Sequence, residues 1–427
     1  MTFLKENGMQ HSAIVGASAA GVSAAISMRS LGHDGRITII DRDPHPPYER
    51  PPLSKLTDRT LRPIVPPSRF TELDIELRLG SEVRGVDPVS RTLHLDADDS
   101  LKIDTLLLST GVAARRLTVP GSDLAHVLVL RDASDAALLA DRFSTGGPLV
   151  IIGAGFIGLE IAALAREQGL DVTVVEVGPR PLQTLDERVG THVLDLHRSQ
   201  GVRFVLGRTV RRLEGVDAVE KVVLDDGTRL SAATVVVGIG VEPRTELARA
   251  IGVRTDSQGI VVDAYGQTDV PWVYAAGDVA SQPHPHLVTG PGRIEHWDVA
   301  LKHGAAVGAT MAGHPTAFTE TPYVWSDQFG RTFQMFGRPH TTDELVMRRD
   351  ATPESYLGFW LRDEVVVAVC GFDRPRDVGA ARRLIQLPVG THRDALADDG
   401  LELRNLIKTI TRGSSPRPDS KKGVTIT

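Results

Sequence analysis

The feature that most constrains the fold is a pattern that occurs twice. Residues 11–41 and residues 148–176 each contain an apolar strand, a glycine turn, an alanine-rich helix and a β-branched strand that ends in an acidic residue. This order is typical of the βαβ unit that binds dinucleotides, whose helix N-terminus faces the pyrophosphate with unpaired N–H groups. One such pattern is a weak indication, because glycine turns open many helices, but two in full order predict two bound dinucleotides.

The second repeat, residues 148–176, carries all three glycines of the pattern, Gly153, Gly155 and Gly158. The first glycine makes the tight turn, the second lets the pyrophosphate approach the backbone, and the third lets helix and strand pack closely. Glu176 closes the second strand, where a carboxylate can accept hydrogen bonds from a ribose 2′-OH and would repel a 2′-phosphate. This repeat therefore predicts a site for NADH rather than NADPH.

The first repeat, residues 11–41, departs from the pattern at one position. Gly16 and Gly21 are present, but Ser18 takes the place of the middle glycine. A serine is small, and its hydroxyl can bond a phosphate. Asp41 ends the strand and Asp43 follows it, so either carboxylate is a candidate to hold a ribose. Two repeats imply two dinucleotides, most simply a flavin and a nicotinamide.

Three later segments have the character of cofactor contacts. Residues 103–111 form an apolar strand that ends in Thr110 and Gly111, and residues 272–280 contain a second that ends in Gly277 and Asp278. Asp278 can accept hydrogen bonds from the ribityl hydroxyls of a flavin, or cap a helix, and the two roles are compatible. Within residues 293–313 we expect a helix that begins near His296 or Trp297, although taken alone Trp297 is more often a core residue.

Composition bounds the remaining possibilities. The 427 residues carry a net charge of −6, which argues against a general nucleic-acid binder. No stretch reaches the roughly 18 apolar residues that would span a bilayer, and the N-terminus lacks a signal-peptide core, so we expect a cytoplasmic protein. The single cysteine, Cys370, excludes an intramolecular disulfide, and its apolar surroundings favour a buried structural thiol.

The last hundred or so residues differ in character from the rest. From about residue 319 the sequence alternates apolar and polar residues between turn signals, which predicts an α+β C-terminal domain. The polar segment from about residue 412 to the end predicts a frayed tail, with a basic docking arm as the alternative.

Five segments together resemble a known family. They match, in content and order and over roughly residues 11–410, the FAD-dependent NADH:ferredoxin reductases of bacterial oxygenase systems, the putidaredoxin-reductase-like group of the glutathione reductase superfamily. The segments are PYERPPLSK (47–55), GAGFIGLE (153–160), VYAAGDVA (273–280), EHW (295–297) and YVWSDQF (323–329). STG at residues 109–111 departs from the ATG that is usual there.

The resemblance implies an α/β fold of two Rossmann-like dinucleotide-binding domains, one for FAD and one for NAD, plus the α+β C-terminal domain. The implied FAD domain is discontinuous, residues 1–113 and 238–318, and the NADH domain, residues 114–237, is inserted between its parts. The C-terminal domain covers residues 319–427.

The resemblance also implies roles for individual residues. Lys55 would sit beside the flavin N5 and pair with Glu160, which faces the nicotinamide; these two are the implied catalytic residues. Arg50 would lie near the FAD pyrophosphate. The full set of predicted FAD contacts is Gly16, Ser18, Ala19, Ala20, Gly21, Asp41, Arg42, Arg50, Lys55, Val83, Thr110, Gly111, Arg131, Gly277, Asp278, Glu295, His296 and Trp297. The predicted NAD contacts are Gly153, Gly155, Phe156, Ile157, Gly158, Glu160, Glu176 and Gly240.

The cysteine count then bears on the electron path. Transfer to a protein disulfide needs two thiols, and a sulfenic acid cycle needs one beside the flavin, where Ser54 and Lys55 offer none. Electrons must therefore pass directly from the flavin to an external acceptor. The resemblance implies that a hydride passes from NADH to FAD, and that single electrons then pass to an iron–sulfur ferredoxin, adrenodoxin-like or Rieske-type, that feeds a cytochrome P450 or a Rieske oxygenase.

Two further questions stay open at this point. Arg382 and Arg383 are candidates for docking an acidic ferredoxin, with a merely solvated helix face as the alternative. A rubredoxin reductase, a diaphorase of broad acceptor range, or an NADH-sensing flavoprotein of the apoptosis-inducing-factor type are the alternative functions.

Overall fold

The computed structural model describes residues 10–55, 60–349 and 355–413. The chain divides into two compact units, an amino-terminal unit that ends at Gly330 and a carboxy-terminal unit that begins at Arg331. The predicted polar tail lies almost entirely outside the described residues, which end at residue 413. The boundaries of the three domains stay predictions.

The first repeat lies at the centre of a five-stranded parallel sheet. Its strand, helix and strand are His11–Val15, Ala19–Ser30 and Arg36–Asp41, which confirms the predicted order of elements. The strand bearing the glycine turn lies between Arg36–Asp41 and a strand from much later in the chain. In spatial order the sheet consists of Val273–Ala275, Thr105–Leu108, His11–Val15, Arg36–Asp41 and Ile75–Leu79.

The second repeat builds a sheet of the same kind. Leu149–Ile152 and Val172–Glu176 are its strands and Phe156–Glu167 is its helix, again as predicted. Both strands are fully buried, as expected for β-branched runs in a parallel sheet covered on both faces. In spatial order the sheet consists of Arg203–Leu206, Val172–Glu176, Leu149–Ile152, Thr234–Val237 and Val127–Leu128.

Both sheets change direction at the strand before the glycine turn. From that strand the repeat continues to one side, while the neighbour on the other side, Thr105–Leu108 or Thr234–Val237, is reached only later in the chain. In open parallel sheets this switch point opens a crevice at the carboxyl ends of the strands, where ligands bind. The topology therefore predicts one binding crevice in each sheet.

Close helix packing holds the first sheet's covering layer together. The helix Trp297–Met311 crosses Ala19–Ser30 so closely that a Cβ on Gly304 would lie 2.2 Å from the carbonyl oxygen of Ala20. Gly308 stands in the same relation to Ala24, at 2.3 Å. Glycine at both positions is therefore required by contact with backbone that cannot move aside.

Smaller elements complete the amino-terminal unit. The strands Val112–Ala114 and Val241–Pro243 pair antiparallel, so the two stretches of chain that connect the parallel sheets run side by side. The other strands are Val83–Asp87, Thr92–Leu95, Ser100–Lys102, Val210–Glu214, Lys221–Leu224, Arg229–Ser231, Ile260–Val261, Ala280–Ser281 and Tyr323–Gln328. The other helices are Ser68–Glu72, Ala133–Thr145, Glu187–Ser199 and Glu246–Ala250, with short 3-10 helices at Pro51–Ser54, Asp96–Asp98 and Gly277–Val279.

The carboxy-terminal unit is α+β, as predicted. Its antiparallel strands are, in spatial order, Arg331–Gly337, Val365–Phe372, Tyr356–Arg362 and Glu344–Arg349. Its helices are Pro375–Ala381, Arg393–Ala397 and Leu403–Gly413, with 3-10 helices at Arg382–Leu384 and Gly390–His392. Cys370 is 0 % exposed in the second of these strands, which confirms the predicted buried thiol.

Among the described helices, none is both long enough and apolar enough to cross a membrane.

Candidate functional site

The predicted cofactor residues collect at the carboxyl edges of the two parallel sheets. At the first sheet Gly16, Asp41, Gly111 and Asp278 each end a strand or closely follow one. At the second sheet Gly153, Glu176 and Gly240 occupy the corresponding positions. Residues that are far apart in sequence thus meet at one edge in each sheet, which is where the topology predicts a ligand.

The two glycine turns have the same geometry. Gly16 has φ +117° and Gly153 has φ +102°, a backbone conformation that side chains rarely allow. A Cβ on Gly16 would lie 2.3 Å from the carbonyl oxygen of Ser109, and a Cβ on Gly153 would lie 2.3 Å from that of Gly238. In both sheets, therefore, the chain that leaves the strand beyond the switch point lies directly against the glycine turn.

The middle position of each turn is open toward the crevice. No described atom lies within 4 Å of where a Cβ on Gly155 would project, so the backbone there can be approached closely by a phosphate. In the first repeat Ser18 is the N-cap residue of Ala19–Ser30, and its hydroxyl makes no capping hydrogen bond. That hydroxyl is therefore available to a phosphate, and its role as a phosphate contact stays a prediction.

The terminal acids of the two repeats make matching hydrogen bonds. Asp41 accepts from the backbone N–H of Ala17 at 2.6 Å and of Asp43 at 2.9 Å. Glu176 accepts from the N–H of Ala154 at 2.7 Å and of Gly178 at 2.9 Å. Each carboxylate is thus fixed beside the residue that follows the first glycine, where the ribose of a dinucleotide is expected.

The hydrogen bonds of Asp41 and Asp43 distinguish between these two candidates for the ribose contact in the first repeat. The Asp43 carboxylate is occupied by its neighbours: it accepts from the hydroxyl of Tyr48 at 2.8 Å and contacts the ring Nδ1 of His45 at 2.7 Å. Tyr48 in turn accepts from the backbone N–H of Ala133 at 2.9 Å. Asp43 therefore supports the surrounding loop, and Asp41 is the acid at the glycine turn.

A buried pair of opposite charges, in which each side chain also has one polar atom without a partner among the described residues, lies beside Gly111 and Gly277. Arg131 Nη2 lies 3.6 Å from Asp278 Oδ2, while Arg131 Nε and Asp278 Oδ1 are buried and have no partner among the described residues. Burial raises the pKa of Asp278, and burial, followed by the charge of Arg50, lowers the pKa of Arg131 to about 10. Unpaired buried groups of this kind fit a polar ligand such as the ribityl chain of a flavin.

Sequence reasoning missed a further arginine at this edge. Thr110 Oγ1 donates to the carbonyl oxygen of Arg244 at 2.9 Å, and the Arg244 N–H donates to Gly111 at 3.1 Å. Burial, and then the charges of Arg42 and Arg50, lower the pKa of Arg244. Crowded guanidinium groups beside a glycine turn fit the two negative charges of a pyrophosphate. Only the antiparallel pairing of the two connecting strands brings Arg244 here, and no local pattern marks it.

The implied catalytic residues meet between the two sheets. Lys55 directly follows the 3-10 helix Pro51–Ser54, and its Nζ lies 3.3 Å from Glu160 Oε1 and 3.2 Å from Asp327 Oδ2. The ammonium group also lies 5.8 Å from the centre of the Trp325 ring. Glu160 is 5 % exposed, in the first turns of the helix after the second glycine turn. Asp327 and Trp325 belong to the YVWSDQF segment but were not predicted as site residues.

The remaining predicted contacts occupy compatible places. The helix Trp297–Met311 begins at the predicted residue, with His296 as an extended N-cap. Glu295 is ion-paired with Arg293 at 2.6 Å, and Val83, 8 % exposed, starts a strand beyond the first sheet's last strand. Ile157 is 47 % exposed at the second glycine turn, which suits an apolar contact with a nicotinamide nucleotide.

Arg382 and Arg383 belong to the carboxy-terminal unit, and both side chains are exposed in the 3-10 helix Arg382–Leu384. The Arg382 guanidinium lies 5.5 Å from the centre of the Phe336 ring, which fixes its position on the surface of that unit. Their docking role stays a prediction.

Comparison with known proteins places the chain in a family. Residues 10–304 match the pyridine nucleotide-disulphide oxidoreductase family, and residues 323–407 match the C-terminal domain of reductases. The chain is 34% identical over 407 residues to the ferredoxin–NAD(+) reductase subunit of a benzene 1,2-dioxygenase system from Pseudomonas putida, covering 93% of this chain and 98% of that protein. It is 35% identical over 398 residues to rhodocoxin reductase from Rhodococcus erythropolis, covering 92% and 93%.

The solved structures give the same result. The covalent complex of putidaredoxin reductase with putidaredoxin matches with a TM-score of 0.89 and 30% identity, covering 95% of this chain and 100% of that chain.

Proposed function

This chain belongs to the pyridine nucleotide-disulphide oxidoreductase family, and we propose that it is the NADH:ferredoxin reductase of an oxygenase system. Its cofactors are FAD and NADH. The relatives named above are a ferredoxin–NAD(+) reductase subunit of a dioxygenase system and a rhodocoxin reductase, and they align with this chain over almost its whole length. Despite the family's name, a disulfide step is excluded here, because the sequence holds one cysteine and that cysteine is buried.

The observation that carries the proposal is the ion pair between Lys55 and Glu160, 3.3 Å apart. Lys55 comes from the chain that follows the first repeat, and Glu160 comes from the helix of the second repeat. An ion pair that bridges the two nucleotide-binding crevices lies where two bound dinucleotides would face each other. That arrangement supports electron transfer between them.

FAD, when bound, supplies the chemistry that turns a two-electron hydride into two single-electron transfers. The residues of the chain supply positions and charges. With both cofactors bound, Asp41 and Glu176 would hold the riboses, and the arginines at residues 42, 50 and 244 would face the pyrophosphate. Arg131 and Asp278 would contact the ribityl chain of the flavin. The Lys55 ammonium stabilises negative charge that develops beside it, and Glu160 holds Lys55 in place.

We propose an acidic iron–sulfur ferredoxin, adrenodoxin-like or Rieske-type, as the electron acceptor, with a cytochrome P450 or Rieske oxygenase beyond it. Exposed Arg382 and Arg383 on the carboxy-terminal unit provide local positive charge in a chain of net charge −6, which suits an acidic partner. We propose the cytoplasm as its location, as expected from the sequence.

The proposal is tested by the NADH-dependent reduction of purified two-iron ferredoxins, followed through cytochrome c as the final acceptor. We expect the wild-type protein to reduce at least one ferredoxin far faster with NADH than with NADPH. Lys55→Met keeps the length of the side chain but removes its charge, and should lower the turnover number about tenfold or more. Lys221→Met, at an exposed strand end, is the matched control. Equal activity of Lys55→Met and wild type would contradict the assignment of the site.

A further inference from the structure

A buried chain of hydrogen bonds links Glu160 to Ser326, Gln328 and His197. Ser326 Oγ donates to Glu160 Oε1 at 2.6 Å, and Gln328 Nε2 donates to Ser326 Oγ at 2.9 Å. Beyond them, His197 Nε2 lies 2.8 Å from Gln328 Oε1. The four side chains are 5 %, 1 %, 2 % and 0 % exposed in that order, so water does not replace any of these partners.

The donors along this chain all point toward Glu160. Since the Gln328 amide nitrogen faces Ser326, its oxygen must accept from His197, and the Nε2 of His197 therefore carries the hydrogen. Burial outweighs the bond to Gln328 and lowers the pKa of His197 to about 4, so the ring is neutral near pH 7. The other ring nitrogen, Nδ1, has no partner in the described part of the chain.

Glu160 is consequently held on both oxygens. Ser54 Oγ donates a short hydrogen bond to Oε2, while Ser326 and the Lys55 ammonium act at Oε1. Contacts with two hydroxyls and an ammonium fix the orientation of the carboxylate. These contacts are strong because hydrogen bonds to a charged acceptor are stronger than those between neutral groups. The position of Lys55 therefore depends on Ser326 through the Glu160 carboxylate.

Efficient packing of the core does not by itself explain this chain of polar side chains. Burying four polar side chains is unfavourable unless each is satisfied, and apolar residues of similar volume would pack the same space. His197 is already packed edge-on against the rings of Phe204 and Phe329, with centroids 6.0 and 4.9 Å away, so a phenylalanine would fit that environment. What the histidine adds is the N–H that orients Gln328.

We propose that Ser326, supported by Gln328 and His197, is a positioning residue for hydride transfer. It fixes the Glu160 carboxylate, and through that carboxylate it holds the Lys55 ammonium where NADH meets FAD. The inference rests on the proposed function, which assigns Lys55 and Glu160 to that meeting point.

The test measures the reduction of bound FAD by NADH in an anaerobic stopped-flow instrument. We expect Ser326→Ala to lower the limiting rate constant about tenfold, as loss of one hydrogen bond to a charged group implies. The dissociation constant for NADH and the FAD content should stay at wild-type values. Ser326→Thr keeps the hydroxyl and should recover most of the rate. Ser231→Ala, on an exposed strand, is the control and should behave as wild type.

A double-mutant comparison separates positioning from general damage to the fold. Glu160→Gln removes the charge that the chain orients, so adding Ser326→Ala to it should cause little further loss. A tenfold loss in the Glu160→Gln background as well, or a Ser326→Ala rate equal to wild type, would overturn the proposal.

A more distant pair of variants covers the case in which Ser326→Ala does not fold. His197→Phe keeps the aromatic packing but loses the N–H, while His197→Gln keeps a donor. We expect His197→Phe to slow FAD reduction about threefold, with His197→Gln closer to wild type. Equal rates for both variants and wild type would refute the role of His197.

The readout keeps this inference separate from the proposed function. Bleaching of FAD by NADH needs no ferredoxin, so the positioning role can be measured even if every ferredoxin fails as an acceptor. Conversely, normal Ser326→Ala kinetics in a protein that reduces ferredoxin would overturn the positioning role alone.

Discussion

Lys55 and Glu160 lie 3.3 Å apart although one residue follows the first nucleotide-binding repeat and the other lies in the helix of the second. The pair is enclosed: Lys55 also contacts Asp327, and Glu160 also accepts from two serine hydroxyls. We propose that a positive charge held in this way stabilises negative charge that would develop on a flavin bound beside it.

The choice between NADH and NADPH is expected to depend on Glu176. Glu176→Ala removes the charge that repels a 2′-phosphate. The kcat/KM for NADH divided by the kcat/KM for NADPH should therefore fall about tenfold. The NADH value should itself fall, since the carboxylate also holds the N–H groups of Ala154 and Gly178. Glu220→Ala, at an exposed position, is the control. An unchanged ratio would show that Glu176 does not contact the bound nucleotide.

Retention of the flavin is expected to depend on Asp278. The Asp278 Oδ1 atom is buried without a partner among the described residues. A hydroxyl of a bound ligand would give this oxygen the hydrogen bond that it lacks. Asp278→Ala should weaken FAD binding about tenfold or more, measured by fluorescence titration of the flavin-free protein. Exposed Glu242→Ala should bind FAD as wild type does. Wild-type affinity in Asp278→Ala would place the ribityl chain elsewhere.

Stability is expected to fall as the solution becomes acidic, partly because of His197. Its pKa is about 4 in the folded protein, below the ordinary value of 6.5, so between these values the unfolded chain binds a proton that the folded chain excludes. Stability is therefore intact above about pH 6.5 and declines toward pH 4, by roughly 3 kcal/mol for this group.

Denaturant unfolding from pH 7 to pH 4 measures this effect. His197→Phe lacks the titrating group, so its stability should decline less steeply across that range than the stability of wild type. His314→Phe, at an exposed histidine, should keep the wild-type slope. Identical slopes for His197→Phe and wild type would show that the ring is not excluded from protonation.

Partner docking is expected to involve Arg382. Reversing its charge in Arg382→Glu should raise the KM for ferredoxin several-fold at low ionic strength, and the difference should shrink as salt screens the charges. Reduction of ferricyanide, a small acceptor that needs no docking surface, should be unaffected. Exposed Arg404→Glu, on another element of the same unit, is the comparison. If ferredoxin kinetics do not change at any salt concentration, the solvated-face interpretation of Arg382 is correct.

The local structural elements that carry the predicted site residues were predicted well. The turns at Gly16 and Gly153 and the acids at Asp41 and Glu176 follow from a strand, a turn and a helix in fixed order, because backbone geometry limits which residues fit. The helix that begins at Trp297 was placed in the same way. For such elements the chain neighbours determine the structure.

The pairing of Lys55 with Glu160 was predicted only through the family resemblance, and other long-range contacts were missed. Arg244 reaches the first crevice only because two connecting strands pair, and Asp327 reaches Lys55 only because a late strand packs beside the second repeat's helix. The serine at residue 109, a departure from the usual alanine, donates to the backbone of Val15 and Gly16 and so supports the first turn. A single sequence carries no signal for these pairings.

The measurement that tests the central claim most directly is a single-turnover experiment under anaerobic conditions. The FAD-loaded protein is mixed with one equivalent of NADH and then with oxidised ferredoxin, and both chromophores are followed. The account predicts fast bleaching of the flavin by NADH, then its return as two equivalents of ferredoxin become reduced. Fast bleaching followed by a stable long-wavelength absorbance band, with no reduction of any iron–sulfur or rubredoxin acceptor, would contradict it and favour a sensor of NADH.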